Sequence, residues 1–329
     1  MSSGRKARSG TRPAALQDFR GPVQSAAISV RVFHSDHHVV PLPPGHRFPM
    51  GKYRLIREAL LASGVLRADE LIPAEPADPR VLLHVHTARW VEAVLENRLT
   101  EAEQRRLGFP WSPELVLRSL ASVGGTCAAA VRALDDGIGG NLAGGTHHAF
   151  ADHGEGFCVF NDIAVAIRAL QAERRISRAL VVDLDVHQGN GTAQIFESES
   201  TVFTFSMHGA NNFPFHKTRS SRDVALEDGT GDEAYLAALA EHLPQVLQLA
   251  DPEIVFYQAG VDPLADDSLG RLALTAEGLR RRDELVCRKA REWQLPIVLT
   301  LGGGYAQPIE KSIEAHIATY QVAREVFDF

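Results

Sequence analysis

Cysteine is scarce in this chain and long apolar runs are absent. The three cysteines, Cys127, Cys158 and Cys287, are an odd number with no CxxC pair. Such a set builds neither a disulfide framework nor a zinc ribbon, and a reducing compartment, the cytoplasm, is expected. No stretch reaches the roughly 18 consecutive apolar residues of a membrane span, so no membrane partner is expected. A basic balance is missing as well, because the formal charge is −7. The one basic run is the opening MSSGRKARSGTRPAALQDFR, with five Lys or Arg against Asp18. Its Ser, Gly and Arg content without an apolar segment reads as a disordered tail over residues 1–24. A mitochondrial transit peptide has a similar composition and remains an alternative. With the tail set aside the body is more acidic still, which argues against nucleic acid as a direct ligand. Internal repeats and linkers are also missing, so residues 25–329 are expected to form one domain.

What is present is the pattern of a soluble α/β protein. A hydrophobic share of 45% and a charged share of 23% are ordinary for a globular chain, and 329 residues can bury a large core. Short β-branched runs at 26–34, 178–187, 200–208, 253–262 and 295–305 read as strands buried on both faces. Between them, helical spacing predicts helices over 113–135, 161–173, 232–249, 275–293 and 308–326. Strand alternating with helix, without a composition break, implies a doubly wound, mostly parallel sheet with helices on both faces. The polar residues sit at strand ends: Asp183, Asp185 and His187, then His208, then Asp262, then Gly302 to Tyr305. In open parallel sheets ligands bind beyond the carboxyl ends of the strands, so these groups are expected along one edge.

The chemistry lies in a few short stretches. In DLDVHQGNG, residues Asp183, Asp185 and His187 alternate along an extended chain and project to one side. Two carboxylates and an imidazole buried together need a cation, and Asp262 in QAGVDPLADD adds a further oxygen donor. One His with two carboxylates leaves positions open for water and substrate, which suits Zn2+, while Fe2+ or Co2+ fit the same donors. The pair His147 and His148 in GGTHHAF offers a general base and an electrostatic partner beside such a site. In LGGGY the glycines let backbone approach a ligand, and the Tyr305 phenol can donate to an oxyanion.

Taken in order, GGTHHAF, GFCVFND, DLDVHQGNG, QAGVDPLADD and LGGGY resemble the zinc-dependent histone deacetylase family, which has the arginase-deacetylase fold. HRFPMGKY, GFPWSP and the HQGNG form are similar to its class IV branch and bacterial relatives. The resemblance covers about residues 28–327. It implies metal ligands at Asp185, His187 and Asp262, a catalytic pair at His147 and His148, and a transition-state tyrosine at Tyr305. It further implies Asp183 as the partner of His147, and Asn190 as a neutral partner of His148 where many members carry Asp. On that basis Asn190→Asp is expected to raise the pKa of His148. Gly156, Phe157, Phe213, Leu269 and Gly303 correspond to an acyl-lysine tunnel. A structural K+ is implied, held by backbone carbonyls of Asp183, Asp185 and His187 with Ser206 and Met207. Gly189 stands where the neighbouring ureohydrolases place an Asp for a second metal, so one catalytic ion is expected.

The reaction implied is metal-assisted hydrolysis of acetyl-lysine or longer acyl-lysine in a protein or peptide. One alternative is an acetylpolyamine or other small-amide hydrolase, which acidic residues near the rim, Asp266 and Asp267, would favour. The other is a catalytically idle protein that binds acylated lysine.

Overall fold

The computed structural model describes residues 30–329. The basic tail assigned to 1–24, the boundary at 25 and the beginning of the first expected strand lie outside the described residues. The first half of the chain runs β1 (Arg31–His34), α1 (Lys52–Ala62), β2 (Leu71–Pro73), α2 (Pro79–Leu82), α3 (Ala88–Leu95), α4 (Glu101–Leu107), α5 (Pro113–Asp136), β3 (Ile138–Asn141) and α6 (Asp162–Ala172). The second half runs β4 (Ala179–Asp183), α7 (Asn190–Ile195), β5 (Val202–Gly209), β6 (Arg222–Leu226), α8 (Asp232–Ala250), β7 (Val255–Gln258), α9 (Ala276–Glu292), β8 (Ile297–Thr300) and α10 (Glu310–Phe327).

The eight strands form one sheet in the order β2-β1-β3-β8-β7-β4-β5-β6, and every neighbouring pair is parallel. Its central strands carry apolar residues on both faces because both are covered. Leu180, Val182, Tyr257 and Leu299 pack into a core with α8, α9 and α10, while Val181, Phe256 and Val298 pack on the other side with α5 and α6. The five expected helices are all present, each within two residues of its expected ends. Asn161 caps α6, accepting from Ala164 N at 3.0 Å. The helix α5 is long and apolar enough to cross a membrane by length and composition. Its apolar stripe has another partner here: Ala129, Ala130 and Ala133 are fully buried against the sheet and α6.

Three strands and five short helices escaped the sequence pattern. β3 reads Ile-Gly-Gly-Asn, a turn-like composition, yet it pairs with both β1 and β8. β6 is an edge strand whose residues alternate between half-buried and exposed, and β2 has only three residues. The segments α2 to α4 and the start of α5 share a third apolar cluster that includes Trp90, Leu107, Phe109 and Leu115, whereas α1 packs against α10 through the first core with Ile56 and Leu60.

One expectation about local structure is corrected. β4 ends at Asp183, so Asp185 and His187 stand on the loop after it rather than on the strand, and Asp262 lies four residues past the end of β7. Side-chain carboxylates take over from the ladder at this point. Asp183 Oδ1 accepts from Asp185 N (3.2 Å), Asp185 Oδ1 from His187 N (3.0 Å), and Asp262 Oδ1 from Val186 N (2.8 Å). Beneath them the fully buried Arg282 donates to Gly260 O (2.6 Å) and Leu184 O (3.3 Å), propping both loops, and pairs with Asp283 at 2.8 Å.

Candidate active site

The four central strands β3, β8, β7 and β4 are neighbours, and the loops leaving their carboxyl ends deliver the candidate residues to one place. The β3 loop brings His147 and His148, β4 brings Asp185 and His187, β7 brings Asp262 and β8 brings Tyr305. The histidine loop is fixed by Asp162 at the start of α6. Its carboxylate accepts from Gly145 N (3.0 Å), Thr146 N (2.8 Å) and Thr146 Oγ1 (2.6 Å). Gly145 has φ +74°, and a Cβ there would lie 1.8 Å from Gln258 Oε1. Glycine is therefore a steric requirement at this position.

Asp185, His187 and Asp262 are buried, and one donor atom from each lies within 4.8 Å of the others. His187 Nδ1 is 2.9 Å from Asp185 Oδ1 and 3.1 Å from Asp262 Oδ2. One ring nitrogen cannot satisfy two carboxylates, and a cation among the three would. The electrostatics agree. Burial disfavours charge on His187, yet hydrogen bonds to Asp185 and Asp262 push it up to about 10. Burial, reinforced by the Asp185 charge, pushes Asp262 up to about 7. The site thus gathers protons where a divalent ion would stand, and the donor set fits such an ion. A second group with ligand spacing, His34, Asp36 and His37, differs, because Arg57 Nε holds both oxygens of Asp36 at 3.1 and 2.9 Å.

Around this centre His147 Nδ1 lies 2.7 Å from Asp183 Oδ2, and His148 Nδ1 lies 2.7 Å from Asn190 Oδ1. Burial opposes charge on His147, but Asp183 and Asp185 raise it to about 9. Burial and the cationic neighbours His147 and His187 hold His148 well below the usual imidazole range. The adjacent imidazoles are driven apart, one toward the cation and one toward the neutral base. Burial also lifts the Tyr305 phenol well above its ordinary value, so it stays a donor.

A cavity of about 650 Å³ reaches this centre, lined by His147, His148, Asp185, His187 and Tyr305. The five positions expected along a tunnel, Gly156, Phe157, Phe213, Leu269 and Gly303, line it as well. Phe213 stands edge-on to His148, with ring centroids 5.0 Å apart. Phe157 adopts φ +67°, a conformation rare for a bulky residue, and donates from its N to Leu107 O at 2.9 Å. Gly303 N donates to Asp185 Oδ2 (2.8 Å), and a Cβ at Gly303 would fall 1.9 Å from Asp262 Oδ2.

A histone deacetylase domain model matches residues 46–320. The chain belongs to the histone deacetylase family. It is 33% identical to histone deacetylase 2 of Arabidopsis thaliana over 290 residues, 82% of this chain and 73% of that one. It is 45% identical to an uncharacterized protein of Picosynechococcus sp. over 90% of this chain and 98% of the other. Human histone deacetylase 1 is 28% identical, with 58% of its length covered. Among solved structures, a histone deacetylase homologue complexed with SAHA superposes with a TM-score of 0.77 at 25% identity, covering 91% of this chain and 84% of that one. The parallel α/β sheet is the arginase-deacetylase fold of this family.

Within this histone deacetylase frame the structure adds residues that the motifs did not single out. Lys52, in HRFPMGKY, is 1% exposed; its Nζ bonds Gly304 O (3.2 Å) and Gly302 O (3.4 Å) and sits 5.1 Å from the Tyr305 ring centroid. Burial pulls its pKa down to about 8 against the attraction of Asp262, Asp267 and Asp185. The available signal was a lysine directly flanked by Pro49, Met50, Gly51 and Tyr53. Glu155, between two glycines, accepts from Asn190 Nδ2 at 2.5 Å. The neutral partner of His148 is thus itself tied to a carboxylate. Asp266 and Asp267 do not furnish an acidic rim. Asp267 accepts from the backbone N of Leu269, Gly270 and Tyr305, and Asp266 pairs with Lys311. The exposed charges on the cavity wall are instead arginines, Arg47, Arg105, Arg106 and Arg271, of which Arg105 pairs with Glu101 and Arg271 with Asp228. His208 bonds Ser206 Oγ (2.9 Å) and is absent from the cavity wall, and His153 stacks on Phe150 away from it.

Proposed function

We propose that this histone deacetylase family chain is a metal-dependent hydrolase that removes acetyl or longer acyl groups from lysine side chains. The observation that carries the reading is a cluster of three cation donors, two of them on the wall of one cavity, with two differently tuned histidines and a protonated tyrosine on the same wall. Asp185, His187 and Asp262 would hold a single divalent cation, zinc in this reading, with Fe2+ or Co2+ compatible. Bound there, it would supply Lewis-acid activation of water and of the acyl carbonyl.

The protein groups act around it. With Nδ1–H donated to Asn190, His148 presents a free Nε2 that accepts the proton of the attacking water and returns it to the leaving amine. His147, kept cationic by Asp183, supports the negative charge that develops. Tyr305 donates its phenol proton in a hydrogen bond to the oxyanion. Phe157 and Phe213 provide apolar walls for the lysine methylenes, with Gly156 and Gly303 leaving space and Leu269 beside them. Lys52 fixes the glycine loop that carries Tyr305. A structural K+ at the carbonyls of Asp183, Asp185 and His187, with Ser206 and Met207, belongs to the same reading; Asp183 and Ser206 are register partners. A cytoplasmic location fits the three unpaired thiols.

Arg47 and Arg106, the exposed arginines of the wall without an ion pair among the described residues, repel a polycation, which weighs against an acetylpolyamine as substrate. The test is kcat/KM of the zinc-loaded protein on acetyl-, decanoyl- and myristoyl-lysine peptides with acetylputrescine in parallel. Turnover of the peptides above the polyamine is expected. No turnover of any acyl-lysine by the metal-replete protein defeats the reading in favour of a binding role.

A further inference from the structure

The wall of the same cavity also includes Phe48, Met50, Tyr53, Leu115 and Arg118. Most of these are apolar, and Arg118 is the exception. It is 7% exposed, and its guanidinium carbon lies 4.5 Å from the Tyr53 ring centroid. Its Nη1 has no hydrogen-bond partner among the described residues. Besides the Tyr53 phenol, the group that acts on it is the Asp36 carboxylate, which is already engaged by Arg57 on both oxygens and by His34 at 2.6 Å. Ser122, one helical turn further along α5, lines the same cavity and is also buried. A buried guanidinium without its own anion is costly unless a ligand supplies one.

We infer that Arg118 is the floor of an acyl subsite that receives a carboxylate, so that lysines acylated by a dicarboxylic acid are substrates. The methylenes of such a chain would lie against Phe48, Met50 and Leu115, and its free carboxylate would meet the guanidinium as a charge-assisted pair. The inference rests on the hydrolase reading and specifies the acyl group. The reaction needs no further reagent: water adds to the amide carbon, the C–N bond breaks, the lysine nitrogen leaves with a proton, and the dicarboxylic acid is released.

The test uses zinc-loaded wild type, Arg118→Met and Arg118→Lys on acetyl-, hexanoyl-, succinyl- and glutaryl-lysine peptides of one sequence. Wild type should hydrolyse succinyl- or glutaryl-lysine at least as efficiently as the neutral hexanoyl chain. Arg118→Met should lower kcat/KM for the dicarboxylic acyl groups by roughly 10- to 100-fold and leave acetyl-lysine within about two-fold; Arg118→Lys should recover part of the loss. Acetyl-lysine turnover without dicarboxylic acyl turnover overturns the inference and leaves the hydrolase reading standing. Equal losses on acetyl and glutaryl substrates in Arg118→Met also overturn it, because Arg118 would then serve the fold or the released acid. If no substrate is turned over, calorimetric binding of the glutaryl-lysine peptide decides: tighter binding by wild type than by Arg118→Met supports the subsite, and equal binding removes it.

Discussion

Replacing Asn190 by Asp separates what the motif implies from what the geometry implies. From the motif alone, a carboxylate at 190 would stabilise the cationic form of His148 and raise its pKa. In the folded protein Asn190 bridges two groups, accepting from His148 Nδ1 at 2.7 Å and donating to Glu155 Oε1 at 2.5 Å. Asp at 190 puts an acceptor where the amide donor stood. Two ionised carboxylate oxygens at that separation repel by roughly 6–7 kcal/mol at an effective dielectric of about 20. One of the pair then takes up a proton, as in carboxylate dyads, and the net charge facing His148 stays at −1, as in wild type. The single variant is therefore expected to leave the acidic limb of the pH profile of kcat/KM nearly in place. In Asn190→Asp with Glu155→Gln, a lone carboxylate faces His148 at hydrogen-bond distance. A nearby opposite charge typically shifts a pKa by about 1–3 units, so the acidic limb should move up by that amount. The assay is kcat/KM from pH 5 to 9 on an acetyl-lysine peptide with metal in excess. An upward shift in the single variant equal to that in the double variant would refute the role of Glu155. No shift in the double variant would refute Asn190 as the partner of His148.

Tyr305→Phe should lower kcat by about 10²–10³ with little change in KM, the signature of a lost oxyanion donor; full activity would exclude that role. Metal affinity should rise with pH across neutrality, because His187, raised to about 10, and Asp262, raised to about 7, carry protons that the ion must displace. Calorimetric zinc titrations at pH 6, 7 and 8 should show tighter binding at each step with proton release, and pH-independent binding would contradict the site. Arg282→Met removes one member of a fully buried pair and leaves Asp283 uncompensated. It should destabilise the fold by about 3–5 kcal/mol, read from the midpoint of urea unfolding, and a loss under 1 kcal/mol would show that the pair is not a structural support.

Periodicity made some of this molecule readable and not the rest. The strands β4, β5, β7 and β8 and the helices α5, α6, α8, α9 and α10 each bury a continuous face, so their composition announces them. β3 was hidden because Ile138-Gly139-Gly140-Asn141 has the composition of a turn and becomes a strand only between β1 and β8. The short elements from α2 to α4 depend on packing around Trp90 and Leu107 rather than on their own patterns.

The candidate site divides along a similar line. His147, His148, Asp185, His187, Asp262 and Tyr305 were legible because ligand and acid-base chemistry restricts residue type, and short stretches such as GGTHH and DLDVH carry that restriction in local order. Charge pairing is not local. Whether Asp267 faces a substrate or clamps Tyr305, whether Asn190 is tied to Glu155, and whether Arg118 has a counter-ion depend on which distant segments meet. Residue types and their order set the chemistry available to this chain. The parallel sheet, by bringing the ends of four neighbouring strands within hydrogen-bond reach, decided which charges are paired and which are left to face a ligand.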